Sequence, residues 1–334
     1  TNQIHESGRD AAIQAGVTFV PANVAVELLS EVDLVIDALY GIGGHPGLPK
    51  QAADFAAACK DLSVPVLSVD IPSGLSADSS RLETSFEATR TVTFIALKRC
   101  HVMEPAKSRC GEVELVDIGV PVPDSRISLV ELADLARRWP WPTAASDKYS
   151  RGVAGISAGS AKYPGAGILA AYGAVYSGAG MVRFAGAEQS ARELRSLLPN
   201  VVFGQGRANS WVAGSGWGVE DPVTVDSILA LGVPTVLDAE ALNYRPSRPL
   251  TSCLMTPHAG ELAAGIGVER AWVEANPIPA VREASSRTSA TVLLKGATQY
   301  CAAPSGQVLI AIPGPHWTAQ AGSGDVLAGI CGTL

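Results

Sequence analysis

Long hydrophobic runs are missing from this chain. No stretch of about 18 uninterrupted apolar residues occurs in its 334 residues, although the mean hydropathy is +0.21. The most apolar segment, 167–187, is broken by glycines and by Arg183, so no membrane span is expected. Basic charge is also short: 25 Lys and Arg face 32 Asp and Glu, a net charge of −7. That excludes the basic face of a nucleic-acid binder, but not a small anion held by backbone N–H groups. Cysteines are few and scattered, at 59, 100, 110, 253, 301 and 331, with no CxxC spacing, and the five histidines form no HxxxH pair. Neither a redox motif nor a structural zinc site is expected, and the thiols are read as reduced and mostly buried in a cytoplasmic protein. The polar first ten residues lack a signal-peptide pattern. Apolar residues make up 47% and charged residues 17%, enough to bury a sizeable core.

Short apolar runs alternate with helical segments, the pattern of a buried parallel sheet. Strands are expected at 32–38, 64–69, 90–97 and 112–118, with an Ala-rich helix at 51–60. The pattern restarts at 148. Strands follow at 153–157, 181–185, 235–238, 253–256 and 291–295, with helices at 166–177 and 187–198. Between the two patterns lie Pro121, Pro123, Pro140 and Pro142 around a short amphipathic stretch, 129–138. The fold class is therefore α/β with two domains, 1–123 and 146–334, joined by a linker at 124–145. The chain starts without Met and stops about ten residues into an apolar helix beginning near Asp325. The N-terminal part of the first domain and the C-terminus of the second are expected to lie beyond it.

The strongest chemical signal is Ala321-Gly322-Ser323-Gly324-Asp325 before Val326-Leu327-Ala328-Gly329. A glycine-rich turn that opens into a helix aims free N–H groups at one spot, an anion hole suited to phosphate. An acid there accepts the proton of a hydroxyl attacking the transferring phosphoryl group. Taken alone, the loop is equally a turn with Asp325 as N-cap. Other strand ends add weight. Lys295-Gly296-Ala297-Thr298, Thr256 to Glu261 and Leu237 to Asn243 all follow strands, where ligands bind in open α/β sheets, and Gly214 to Gly218 is a second glycine-rich loop.

With these segments in view, the second half resembles the ribokinase-like superfamily, specifically ADP-dependent NAD(P)H-hydrate dehydratase. The matching text also includes Lys148-Tyr149-Ser150-Arg151-Gly152 and Pro164-Gly165-Ala166. The first half resembles NAD(P)H-hydrate epimerase through Asp37 to Gly43 and Val69 to Leu75, and its domain is expected to be Rossmann-like. Together the halves look like the bifunctional bacterial NAD(P)H-hydrate repair family. The Asn- and Gly-rich nucleotide loop that this family carries upstream of the first motif is not in this sequence, and His316-Trp317 before the anion hole is a further departure.

The resemblance implies the site residues. Asp325 is the catalytic base. Ala166, Gly216, His258 and Asp325 line the hydrate site of the dehydratase. Lys295, Gly296, Ala297, Thr298, Gln299, Gly322, Ser323 and Gly324 contact the nucleotide. Gly41, Ile42, Gly43, Gly44, His45, Pro46, Gly47 and Asp70 form the epimerase substrate site, and Asp37 and Ser73 are potassium ligands. ADP as phosphoryl donor, Mg²⁺ and K⁺ are the implied cofactors. NAD(P)H hydrates and ADP are the implied partners of a homo-oligomer that binds neither nucleic acid nor membrane. From the residues alone, a ribokinase-like kinase of a small alcohol and a non-catalytic nucleotide-binding module stay open. For Asp37 and Asp70, so does a role as strand-end acids that cap turns.

Overall fold

The computed structural model describes residues 6–122, 124–244, 249–311, 314 and 316–334. The chain divides into two compact units, Thr1–Pro123 and Asp124–Leu334.

In the first unit, β1 (Val35–Asp37), β2 (Val66–Val69), β3 (Arg90–Phe94) and β4 (Glu112–Val116) form a parallel sheet in that order. Helix α1 (Lys50–Asp61) connects β1 to β2 and buries Ala56 and Cys59 with Leu29, Val66 and Phe86. The first strand is shorter than the run 32–38, because a 3₁₀ turn, Glu27–Glu31, ends just before it. Parallel pairing puts every strand's carboxyl end on one edge. Asp37 and Asp70 close neighbouring strands there.

The second unit holds β5 (Ile127–Val130), β6 (Val153–Ser157), β7 (Met181–Phe184), β8 (Val202–Phe203), β9 (Ser210–Ala213), β10 (Thr235–Leu237) and β11 (Cys253–Met255). They are followed by β12 (Thr291–Leu294), β13 (Gln299–Ala302) and β14 (Val308–Ala311). The sheet order is β5-β14-β13-β12-β11-β10-β9-β6-β7-β8, with β13 antiparallel to both neighbours and the other pairs parallel. Its helices include α2 (Pro164–Tyr176), α3 (Glu188–Leu197), α4 (Pro222–Leu229), α5 (Ala259–Ile266), α6 (Pro277–Thr288) and α7 (Ser323–Thr333). Strand alternation feeds both faces: Val212 and Val236 join Ala170, Ala174, Leu194 and Ala328, whereas Trp211 and Leu237 join Val225 and Leu250. Helix α7 lies directly against α2. A Cβ on Gly329 would come 2.0 Å from Ala170 O, so only glycine permits that approach.

Residues 124–145 correct one expectation. They are not a free connector: β5 pairs in parallel with β14, and the helix Leu132–Arg138 starts on a capping box between Glu131 and Asp134. Both belong to the second unit, and Pro123 lies outside the described residues. Strands β5, β8, β9, β13 and β14 are additions to the expected set. They are two to four residues long, too short for periodicity to declare them. Among the described residues no helix is long and apolar enough to cross a membrane.

Candidate active sites

In the second unit the polar residues converge at the carboxyl ends of β10, β11 and β12. Asp238, directly after β10, is 2% exposed. Its Oδ1 accepts hydrogen bonds from Lys295 Nζ at 2.7 Å and Thr256 Oγ1 at 2.8 Å, and its Oδ2 accepts one from Ser215 Oγ at 2.9 Å. A buried carboxylate is tolerated because one ammonium and two hydroxyls satisfy it. Lys295 is fixed in turn by its N–H bond to Pro257 O at 2.9 Å. Its ammonium stands 3.3 Å from where a Cβ of Gly324 would be, so the first turn of α7 comes down onto it.

Asp325 is the third residue of α7 and is half-buried. Burial first, then the charge of Asp238, push its carboxyl up to about 6, with Glu240 adding to the rise and Lys295 opposing it. Such a group is ionised at neutral pH yet accepts a proton readily, as a general base must. Glu240 Oε2 is buried and has no hydrogen-bond partner among the described residues.

The loop 214–218 forms the neighbouring wall. Gly216 has φ +67°, and a Cβ on it would stand 2.3 Å from Ala166 Cβ, so glycine is what lets the loop rest on the first turn of α2. His258 pairs with Lys295 in an isolated parallel bridge and caps α5, its Nδ1 accepting from the Gly260 and Glu261 N–H groups at 3.1 Å. Glu261 Oε2 accepts the His258 N–H at 2.8 Å, a reciprocal box, and the imidazole stays 60% exposed at the rim. Between β12 and β13, Gly296 and Ala297 are exposed in a turn, and Thr298 is buried. Gln299 Nε2 donates to Gly296 O at 2.6 Å, while its Oε1 is buried with no partner among the described residues.

In the first unit Asp37 is 2% exposed, and its Oδ2 accepts from Ser68 Oγ at 2.9 Å and Ser73 N–H at 2.8 Å. Ser73 Oγ accepts the Tyr40 N–H at 2.9 Å and donates to Tyr40 O at 3.2 Å. Asp70, next to this group, adopts φ +73°, a left-handed conformation that costs a non-glycine residue energy and points to a functional constraint. Its Oδ2 accepts the Ile42 N–H at 3.0 Å, and its Oδ1 accepts from Thr93 Oγ1 at 3.2 Å and pairs with Lys98 Nζ at 2.8 Å. Burial raises the Asp70 carboxyl, but the bonds from Lys98 and Ile42 outweigh it and hold the group below the usual carboxylate range. Gly43, His45 and Pro46 are exposed on the same loop, and its far end is tied by Gly47 N–H to Gly74 O at 2.8 Å.

Ala166 thus meets Gly216, Lys295 meets Gly324 next to Asp325, Asp37 meets Ser73, and Asp70 meets Ile42. The sequence singled out the segments that hold Asp238, Glu240, Thr256 and Ser215, because they follow strands or form a glycine-rich loop, but it gave these four residues no role of their own. In the other unit it missed Lys98 and Thr93. Lys98 lies four residues beyond β3, and only the fold turns its ammonium toward Asp70.

Comparison with known proteins gives the family. A family model described as NAD(P)H-hydrate dehydratase matches residues 154–334, and one described as YjeF-related protein N-terminus matches residues 3–100. A bifunctional NAD(P)H-hydrate repair enzyme from Mycobacterium leprae is 35% identical over 100% of this chain and 70% of its own length. One from Mycobacterium tuberculosis is 37% identical over 90% of this chain and 65% of its own length, so the chain spans about two thirds of these relatives. Among solved structures, the ADP/ATP-dependent NAD(P)H-hydrate dehydratase from Bacillus subtilis, co-crystallised with ATP and Mg²⁺, matches at a TM-score of 0.57 and 26% identity. It covers 62% of this chain and 80% of that one. A ribokinase-like superfamily protein from Enterococcus faecalis shares the fold at a TM-score of 0.55 and 19% identity, over 64% of this chain and 81% of its own. The chain belongs to the family of bifunctional NAD(P)H-hydrate repair enzymes.

Proposed function

We propose that the second unit returns hydrated NAD(P)H to NAD(P)H at the expense of ADP, and that the first unit interconverts the two hydrate epimers. The observation that carries this reading is Asp325: a half-buried carboxylate with a raised proton affinity, at a helix N-terminus beside Lys295. Hydroxide is a poor leaving group, so the hydrate's hydroxyl is phosphorylated first. Its oxygen attacks the terminal phosphorus of ADP, the bond to AMP breaks, and Asp325 takes the hydroxyl proton. The first-turn amides of α7 and the Lys295 ammonium stabilise charge on the transferring group. The ring nitrogen then expels phosphate, and loss of a proton from the adjacent ring carbon restores the double bond. Ala166, Gly216 and His258 are assigned to the hydrate, and Gly296 to Gln299 with Gly322 to Gly324 to the nucleotide.

Mg²⁺ bound with the nucleotide would neutralise phosphate charge. Glu240, whose buried Oε2 has no partner among the described residues and whose charge reaches Asp325, would hold it. In the first unit the oxygens of Asp37, Ser73 and Tyr40 form a hard donor set that suits K⁺. Asp70, oriented by Lys98, Thr93 and the Ile42 amide, faces the loop 41–47 and is assigned with it to the epimerase substrate. The test is incubation of the protein with NADPH hydrate and ADP. Regenerated absorbance of reduced nicotinamide together with AMP and phosphate supports the reading. A stable phosphorylated product without that absorbance makes the protein a small-alcohol kinase instead.

A further inference from the structure

Behind Lys98, among residues assigned to neither candidate site, three sulfur and nitrogen donors meet inside the first unit. Cys100 and Cys110 are 0% exposed and His101 is 2% exposed, and their ligand-capable atoms all lie within 4.8 Å of one another. Sequence spacing hid this group, because Cys110 is ten residues from Cys100 with no paired motif. The fold closes the gap. Cys100 and His101 ride on the short helix Arg99–Val102, Cys110 follows the 3₁₀ turn Ala106–Arg109, and Ile71, Leu75 and Ala106 wall the cluster from water. Three atoms no more than 4.8 Å apart share a point within about 2.8 Å of each. Zinc–sulfur and zinc–nitrogen bonds are about 2.3 Å and about 2.0–2.1 Å, so small side-chain shifts close the difference.

His101 supplies the independent sign of a ligand. Its Nδ1 accepts the Lys98 N–H at 3.1 Å, so the single proton of a neutral ring sits on Nε2, which is buried and, among the described residues, finds no partner outside the cluster. A dry core leaves such an atom unpaired only at a cost.

We propose that Cys100, His101 and Cys110 form a buried site for one thiophilic d¹⁰ cation of the zinc class. Two thiolates cancel the charge of a divalent ion, which suits a pocket closed to water, and the sulfur–nitrogen donor set selects against magnesium and calcium. The Cys110 thiol donates to the carbonyls of Cys100 and Ala106 at 3.5 Å and 3.7 Å, bonds that its deprotonation on loading removes. Loading releases two thiol protons to solvent. The ring keeps its one proton. Coordination through Nε2 moves that proton to Nδ1, and coordination through Nδ1 leaves it on Nε2. Either way the Lys98 amide gives up its acceptor, which couples the metal to the residue that pairs with Asp70.

The test is Co²⁺ titration of the full chain, metal-free and with its thiols reduced. Thiolate-to-cobalt charge-transfer absorption should saturate at one equivalent and be displaced by Zn²⁺. It should vanish in the Cys100→Ser/Cys110→Ser double variant and survive in Cys301→Ser/Cys331→Ser. His101→Gln should weaken binding at least ~10-fold. No charge-transfer band, or a band unchanged without Cys100 and Cys110, overturns the proposal. Should the first double variant fail to fold, cadmium NMR of the wild-type protein decides: a shift of the two-sulfur, one-nitrogen class supports the site, and an all-oxygen shift removes it.

Discussion

Asp325 carries opposed demands. Burial and the charges of Asp238 and Glu240 disfavour its ionised form, and catalysis needs that form. Asp325→Asn should therefore lower dehydratase kcat roughly 10²–10⁴-fold while ADP binding persists, as measured by steady-state kinetics and calorimetry. In the wild type, kcat/KM should fall as pH drops through about 6, because protonation removes the base. The same shift has a stability sign. A carboxyl whose folded pKa is raised contributes stability below its unfolded pKa and loses it as pH rises through about 6. Asp325→Asn should thus melt above wild type at about pH 7, with the gap closing toward about pH 4. Lys295 differs, because it neutralises an Asp238 that is 2% exposed. Lys295→Ala should raise the KM for ADP more than that for the hydrate. It should also cost on the order of 3 kcal/mol in denaturant melts, since a buried charge is left unpaired. If only the hydrate KM moves, the two ligands are assigned in reverse.

Helix α7 holds this base in place, and its position depends on bare backbone. Gly329 lets it touch Ala170 O on α2, so Gly329→Ala should cost about 1–3 kcal/mol and lower dehydratase kcat by displacing Asp325, without changing epimerisation. Equal dehydratase kinetics in a folded Gly329→Ala protein would separate the helix seat from catalysis. Much of this was legible at the level of elements. The apolar runs that became β2, β6 and β12 are short, continuous and closed by polar residues, because both sheet faces are covered. The turn into α7 was legible too, since two glycines and an acid open an apolar helix. The pairing of β5 with β14 was not, because a strand in a proline-rich segment is declared only by its distant partner. Nor were the bonds to Asp238 from Ser215, Thr256 and Lys295, which join four separate strand ends, nor the cluster of Cys100, His101 and Cys110.

At the scale of the molecule, the two candidate sites sit in different units, each built at the carboxyl edge of its own parallel strands. Asp70 and Asp325 should therefore fail separately. Asp70→Ala should stop epimerisation and leave dehydration of the usable epimer unchanged, because every contact described for Asp70 lies within the first unit. The most direct measurement supplies an equal mixture of both NADPH hydrate epimers with ADP and Mg²⁺. Reduced nicotinamide is then followed over a time shorter than spontaneous epimer exchange. The full chain should recover the whole pool, Asp70→Ala only the share of one epimer, and Asp325→Asn almost none. A wild-type protein that leaves one epimer untouched would contradict the assignment of the first unit, and one that recovers neither would contradict the account as a whole.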